Sequence, residues 1–194
     1  MQMAALNPVI LPVPIRHRQW AGPSTAAALS AVARDALARS AGLSGAVLGT
    51  LQKDDTGAPQ PANRWHWSLS HKRTYAGGVV SRQPVGFDIE HPREVHPGLY
   101  DRTATMVEWE LVARNIENLF RFWTAKEAVM KAAGTGLRDL SNCRVITVSG
   151  ADAMRVGLHG KTYSVAHSWF DGHVAAVAAI ETPIIQWHVE TTSS

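Results

Sequence analysis

The 194-residue chain contains a single cysteine, Cys143. That excludes an intramolecular disulfide and a cysteine-rich zinc cluster, and a reducing, cytoplasmic setting is expected. Cys143 opens the apolar run 143–148, so it reads as a buried structural thiol rather than a nucleophile. Long hydrophobic runs are also missing. No segment approaches the ~20 apolar residues that span a bilayer. Prolines interrupt residues 9–15 and no basic region precedes them, so no signal peptide is expected. Charge is sparse: 18% of residues are charged and the formal net charge is +3. The basic clusters Arg16-His17-Arg18 and Lys72-Arg73 are thin cover for a duplex, and a nucleic-acid partner is not expected. The chain has no Gly-x-Ser-x-Gly elbow, no phosphate loop ending in Gly-Lys-Ser/Thr and no Gly-x-Gly-x-x-Gly turn. Its nine histidines form no His-x-x-x-His zinc pair.

What is present is enough apolar material, 45% of residues, for one large domain or two tightly joined halves. Residues 1–23 are proline-rich and read as extended. Ser24 is a good N-cap, and Leu29, Val32, Ala33, Ala36 and Leu37 follow at helical spacing. A helix over 25–40, closed at Gly42, is predicted. After a polar, turn-rich stretch at 53–63 the period becomes two. Trp65, Trp67 and Leu69 alternate with His66, Ser68 and Ser70. With 76–80 and 85–89 this strand reads as a meander. Residues 92–103 read as a loop. Helices are predicted at 105–114 and 118–133, and strands at 143–148, 155–158, 161–167, 173–180 and 186–190. Each half thus runs helix, then antiparallel strands. A faint echo links Ser70-His71 and 76–80 to Ala166-His167 and 174–178.

Three places could carry chemistry. Asp88 and Glu90 are two apart on a strand and share a face, with Ile89 turned into a core. Two carboxylates about 4 Å apart repel by roughly 4 kcal/mol at an effective dielectric near 20. A hard cation such as Mg²⁺, which accepts one or two carboxylates plus water and phosphate, removes that cost. Glu127 and Lys131, at i and i+4, share a helix face. Alone they would be a surface pair worth a few tenths of a kcal/mol. Trp123, one turn earlier on that face, points instead to a packed surface. His71 ends the first strand of the meander, where a partly charged imidazole can donate to a phosphate.

In order, Trp67-Ser-Leu-Ser-His71, Val85-Gly-Phe-Asp-Ile-Glu90, Trp123-Thr-Ala-Lys-Glu-Ala-Val-Met-Lys131 and Gly134-Thr-Gly-Leu137 resemble the 4′-phosphopantetheinyl transferases. The length resembles the long, monomeric type, with two halves in one chain. The resemblance implies an α+β fold: a pseudo-twofold pair of helix-plus-sheet halves, 1–95 and 96–194, with the site in the cleft between them. It implies transfer of 4′-phosphopantetheine from coenzyme A to a serine of an apo acyl or peptidyl carrier protein. Asp88, Glu90 and Glu127 would hold Mg²⁺, and Lys131, His71 and Ser70 would contact phosphate oxygens. Glu127, Lys131 and His71 would be the catalytic set. Lys126 is a further candidate for coenzyme A. Many long relatives carry Gly-Lys-Pro where this chain has Gly57-Ala-Pro59. Arg16, Arg18, Lys53 or Lys72 are then candidates for the 3′-phosphate, and Arg73, Arg102 and Arg138 for an acidic carrier surface. Two other readings share the acids: another Mg²⁺-dependent enzyme that cleaves a pyrophosphate, and a noncatalytic module binding carriers or coenzyme A.

Overall fold

The proline-rich start of the chain contains a strand that no alternation revealed. The computed structural model describes residues 5–18 and 23–191, with backbone only at Pro23 and Ser24. Gly22 and the Ser24 side chain lie outside the described residues, but the helical backbone already begins at Pro23, so the expected turn at Gly22-Pro23 and the cap at Ser24 fall too late. Strand β1 (Val9–Pro12) is followed by a short helix α1 (Ile15–Arg18) and by α2 (Pro23–Leu43). Helix α2 is longer than predicted. The Ala46 N–H bonds back to the Ala41 carbonyl, and the left-handed residue is Gly45 (φ +64°), not Gly42.

The next three strands are β2 (His66–His71), β3 (Tyr75–Ser81) and β4 (Val85–Glu90). The meander expectation fails at β4. Strands β2 and β3 pair antiparallel and β3 pairs with β1, but β4 pairs with none of them. The chain then runs through α3 (Gly98–Thr103), in the segment read as loop, and α4 (Met106–Trp109), far shorter than predicted. Helix α5 (Ile116–Ala133) leads to a 3₁₀ turn at Leu137–Asn142. Strands β5 (Arg144–Ser149), β6 (Ala153–Leu158), β7 (Lys161–Phe170), β8 (His173–Ala179) and β9 (His188–Val189) complete the order. The fold is α+β with two sheets. One runs β2-β3-β1-β9, the other β4-β8-β7-β6-β5. Thus β4 leaves the N-terminal strands to join C-terminal ones, and β9 returns to lie parallel to β1. No helix among the described residues is long and apolar enough to cross a membrane.

All six residues of β4 are buried, because both its faces are covered. Val85, Phe87 and Ile89 pack with Ile10, Tyr75 and Val79 of the first sheet. The opposite face, Gly86, Asp88 and Glu90, lies beside Ala178, Ala176 and Val174 of β8. Those three β8 residues pack in one core with Phe122, Ala125 and Val129 of α5. Helix α5 therefore covers the face of β4 that carries both acids. Its N-terminus is capped by Asn115, whose side chain accepts from Asn118 N–H, and it ends at Gly134 in the left-handed conformation.

Candidate active site at the seam between the sheets

Strands β2 and β4 are the edges of their sheets, and they face each other. The Phe87 N–H donates to Ser68 Oγ at 2.9 Å, so a side chain takes over part of the missing ladder. One register step further, Ser70 Oγ donates to Asp88 Oδ1 at 2.8 Å. Lys131 reaches across from α5. Its Nζ lies 2.6 Å from Asp88 Oδ1 and 3.1 Å from the Phe87 carbonyl. At the end of β4, Glu90 Oε1 accepts from Lys72 Nζ at 2.7 Å and from Trp123 Nε1 at 3.2 Å. Arg93 stands 4.0 Å from Glu90 Oε2.

These contacts leave two carboxylate oxygens over. Asp88 Oδ2 and Glu90 Oε2 are buried and accept no hydrogen bond. A buried carboxylate oxygen without a hydrogen bond is costly, and a cation beside these two would offset that cost. Among the described residues, no three His, Cys, Asp or Glu side chains converge as a ready cage. Two carboxylate oxygens are nonetheless enough for Mg²⁺, which keeps water and substrate phosphate in its other positions.

Burial raises the Glu90 carboxyl above its usual range, only partly offset by Lys72. Glu127 responds more strongly. Desolvation first, then the charges of Asp88 and Glu90, push it up to about 7 despite Lys131. The protein without metal should therefore lose stability as pH rises. Below the ordinary value of 4.5, folded and unfolded chains both hold this proton. Between 4.5 and about 7 only the folded chain does, so deprotonation favours unfolding across that window. The expected decline is on the order of 2 kcal/mol, discounted for the partial exposure of Glu127. Urea unfolding in chelator at stepped pH measures it. Glu127→Gln should flatten the decline, and a variant that keeps the full slope would contradict this account.

His71 differs from expectation. It is half-buried, and desolvation, followed by the Lys131 and Lys72 charges, lowers its pKa. Burial thus disfavours the charged imidazole that the sequence suggested there. The Lys53 charge also reaches it.

Ser70, His71, Lys72, Asp88, Glu90, Glu127 and Lys131 thus gather at one seam. Three expected residues do not. Among the described residues, Arg16 Nε donates to its neighbour His17, and Arg18 Nε donates to the Val13 carbonyl at 2.7 Å. Lys126 is a clear correction. It is fully buried, with Nζ 2.6 Å from Glu108 Oε1 and 2.7 Å from the Thr103 carbonyl. One position on α5 is about 100° of rotation, which turns Lys126 towards α3 and α4 while Glu127 faces the seam. Glu108 also accepts from Thr105 Oγ1 and from the N–H groups of Thr105 and Val145. The Thr105-x-x-Glu108 capping box was readable in the sequence, but its lysine partner was not. Cys143 lies in the same interior, buried as expected, its thiol pushed up to about 12 by desolvation.

Lys126→Met should cost about 3–5 kcal/mol, because Glu108 would remain buried without its counter-charge. Adding Glu108→Gln should restore part of that loss. Denaturant midpoints of the single and double variants test the pair, and a single variant with wild-type stability would refute it.

Residues 84–178 match the sequence model of the 4′-phosphopantetheinyl transferase superfamily. Asp88, Glu90, Glu127 and Lys131 lie inside the match, whereas Ser70, His71 and Lys72 precede it. The chain is also similar to the 4′-phosphopantetheinyl transferase gsp of Aneurinibacillus migulanus, with 28% identity over 92 residues. That alignment covers 45% of this chain and 39% of the relative. The motifs resembling this family and the matched segment coincide on β4 and α5, so that, across residues 84–178, the chain belongs to the 4′-phosphopantetheinyl transferase superfamily.

Proposed function

We propose that the protein transfers 4′-phosphopantetheine from coenzyme A to a serine of an apo acyl or peptidyl carrier protein, releasing adenosine 3′,5′-bisphosphate. The observation that supports this most directly is the pair of buried oxygens on Asp88 and Glu90 that accept no hydrogen bond, flanked by Lys131 and Lys72. The residues fit Mg²⁺, with Asp88 and Glu90 as ligands and Glu127 as the third acid facing them. When bound, the metal neutralises charge on the pyrophosphate oxygens.

The chain's own residues do the rest. Lys131 and Ser70, both now on Asp88 Oδ1, turn their donors to phosphate oxygens when the pyrophosphate enters, and His71 adds a further donor. The serine oxygen of the carrier forms a bond to the phosphorus that bears pantetheine. The bond from that phosphorus to the bridging oxygen breaks, and its electrons leave on the adenosine bisphosphate. Such transfers depend on positioning and charge neutralisation. Glu127 accepts the serine proton, directly or through water.

This reading takes the chain as two related halves, 1–95 and 96–194, acting as a monomer with the site between them. The helix-on-sheet pairs, α2 on the first sheet and α5 on the second, support it. The halves would exchange β4 and β9.

The test incubates the protein with coenzyme A, Mg²⁺ and a diverse panel of apo carriers, then weighs each carrier. A gain equal to one phosphopantetheine is expected. Unmodified carriers throughout would overturn the proposal, and pyrophosphate cleavage without a carrier would replace it with a hydrolase.

A further inference from the structure

Three arginines line a cavity of about 380 Å³ that the proposed reaction does not use. Arg102 comes from α3, Arg138 from the 3₁₀ turn and Arg144 from the first residue of β5. Thr105 and Ser141 line the same space. The volume falls within the range of small-ligand pockets, roughly 300–1,000 Å³. Leu137 and Arg138 form a ridge, since they line this cavity and also one of about 540 Å³ beside Lys131. The seam lies on the far side of that ridge, and none of its residues borders the smaller cavity.

A buried ion pair brings two of the arginines together. The Thr103 carbonyl, next in the chain to Arg102, accepts from Lys126 Nζ. The Val145 N–H, next to Arg144, donates to Glu108. Lys126 and Glu108 join each other, so the end of α3 and the start of β5 are tied to one pair. The fold supplies no anion to match. Asp101, the one carboxylate in the lining, is paired with Arg114 at 2.7 Å. Asp139, on the 3₁₀ turn, accepts from Asn142 at 3.1 Å and meets His159 at 2.9 Å. Arg138 Nε donates to the Thr135 carbonyl at 3.1 Å and Arg144 Nη1 to the Cys143 carbonyl at 3.3 Å, which leaves their other N–H groups over. All three arginines are exposed, and none makes an ion pair among the described residues. The Arg144 charge reaches Lys126 in the interior, where it opposes the ammonium.

Like charges gathered at one cavity repel, and an anion carrying two or more charges would remove that cost. A planar guanidinium offers parallel donors that match phosphate oxygens. We propose that this cavity binds a small phosphate-bearing molecule, a phosphate ester or a polyphosphate, at a site separate from the substrate seam. The site goes beyond the transferase reading and does not rest on it. Three separate segments build the concave lining, which suits a compact ligand.

Calorimetric titration of the intact protein with inorganic pyrophosphate, in chelator so that no metal enters the seam, tests the site. The wild type should bind one equivalent. Arg144→Gln and Arg102→Gln should each weaken binding by about tenfold or more, the usual reach of a charge-assisted contact. Arg144→Lys should recover part of the loss. Arg155→Gln, at an exposed arginine on β6, should leave the affinity unchanged, and so should Lys131→Met. A wild type that takes up no pyrophosphate would overturn the proposal. Equal weakening by Arg155→Gln would reduce it to general positive charge. Binding lost in Lys131→Met but kept in Arg144→Gln would place the anion in the seam. An Arg144→Gln variant that keeps its pyrophosphate affinity and raises only the carrier KM would replace the ligand site with a protein-docking face.

Discussion

Asp88→Ala should lower carrier modification by about a thousandfold or more while the fold persists. That magnitude is the usual loss when a group stabilising transition-state charge is removed. Asp88 is the hub of the seam: one oxygen receives Ser70 and Lys131, and the other is unpaired. Its removal takes away a proposed metal ligand and releases the two donors it holds in place. Folding should survive, because the lost carboxylate was itself expensive to bury and Lys131, 31% exposed, can be solvated. Asp88→Asn separates charge from shape. It keeps the size and one acceptor, and it should fail in transfer nearly as badly as alanine. Mass analysis of carriers measures the loss, titration with Mg²⁺ measures the metal affinity, and circular dichroism confirms the fold. Transfer within tenfold of wild type in Asp88→Ala would refute the assignment.

Gly86→Ala should destabilise the protein by more than 4 kcal/mol, beyond the range of ordinary point changes. A Cβ at this position would lie 1.7 Å from the Ala128 carbonyl oxygen and 2.7 Å from the Ala132 nitrogen. Both are backbone atoms of α5, so no rotamer change relieves the clash. Either the chain fails to fold, or α5 moves off β4 and takes Glu127 and Lys131 away from Asp88. Soluble yield and thermal unfolding read the first outcome, and carrier modification by any folded fraction reads the second. Gly42→Ala is the control. Nothing lies within 4 Å of its Cβ position in α2, so a gain of about 0.5–1 kcal/mol is expected from helix propensity. A Gly86→Ala protein with wild-type stability would show that α5 does not seat on β4 as described.

The two substitutions differ in how far the sequence foretold them. Asp88 stood out as one of two acids on a strand face, and its neighbour Ile89 was expected in a core, where it lies. Gly86 sat in the same motif without a reason. The reason is α5, which approaches β4 closely enough to exclude a side chain, and no local pattern encodes that distance. The same division runs through α5. Helical spacing found the helix, and i,i+4 geometry placed Glu127 with Lys131. Spacing set Lys126 about 100° around the helix from Glu127 and left it a lesser candidate for coenzyme A, but it could not supply the partner, Glu108.

Strand β4 shows where local reading ends. The short turn between β3 and β4 reads as a hairpin, yet β4 pairs with β8, about 90 residues away in the chain. Its apolar and polar residues alternate, yet all six are buried, because sheet covers one face and helix the other. The sequence by itself determined the chemical groups, their order and the helix that carries two of them, since these follow from residue type and short-range periodicity. Only the tertiary structure decided that β4 changes sheets, that Ser70 reaches Asp88 across the seam, and that Arg138 and Lys131 border one cavity. Those relations depend on long-range pairing and close packing, whose free energy comes from contacts between segments distant in the chain.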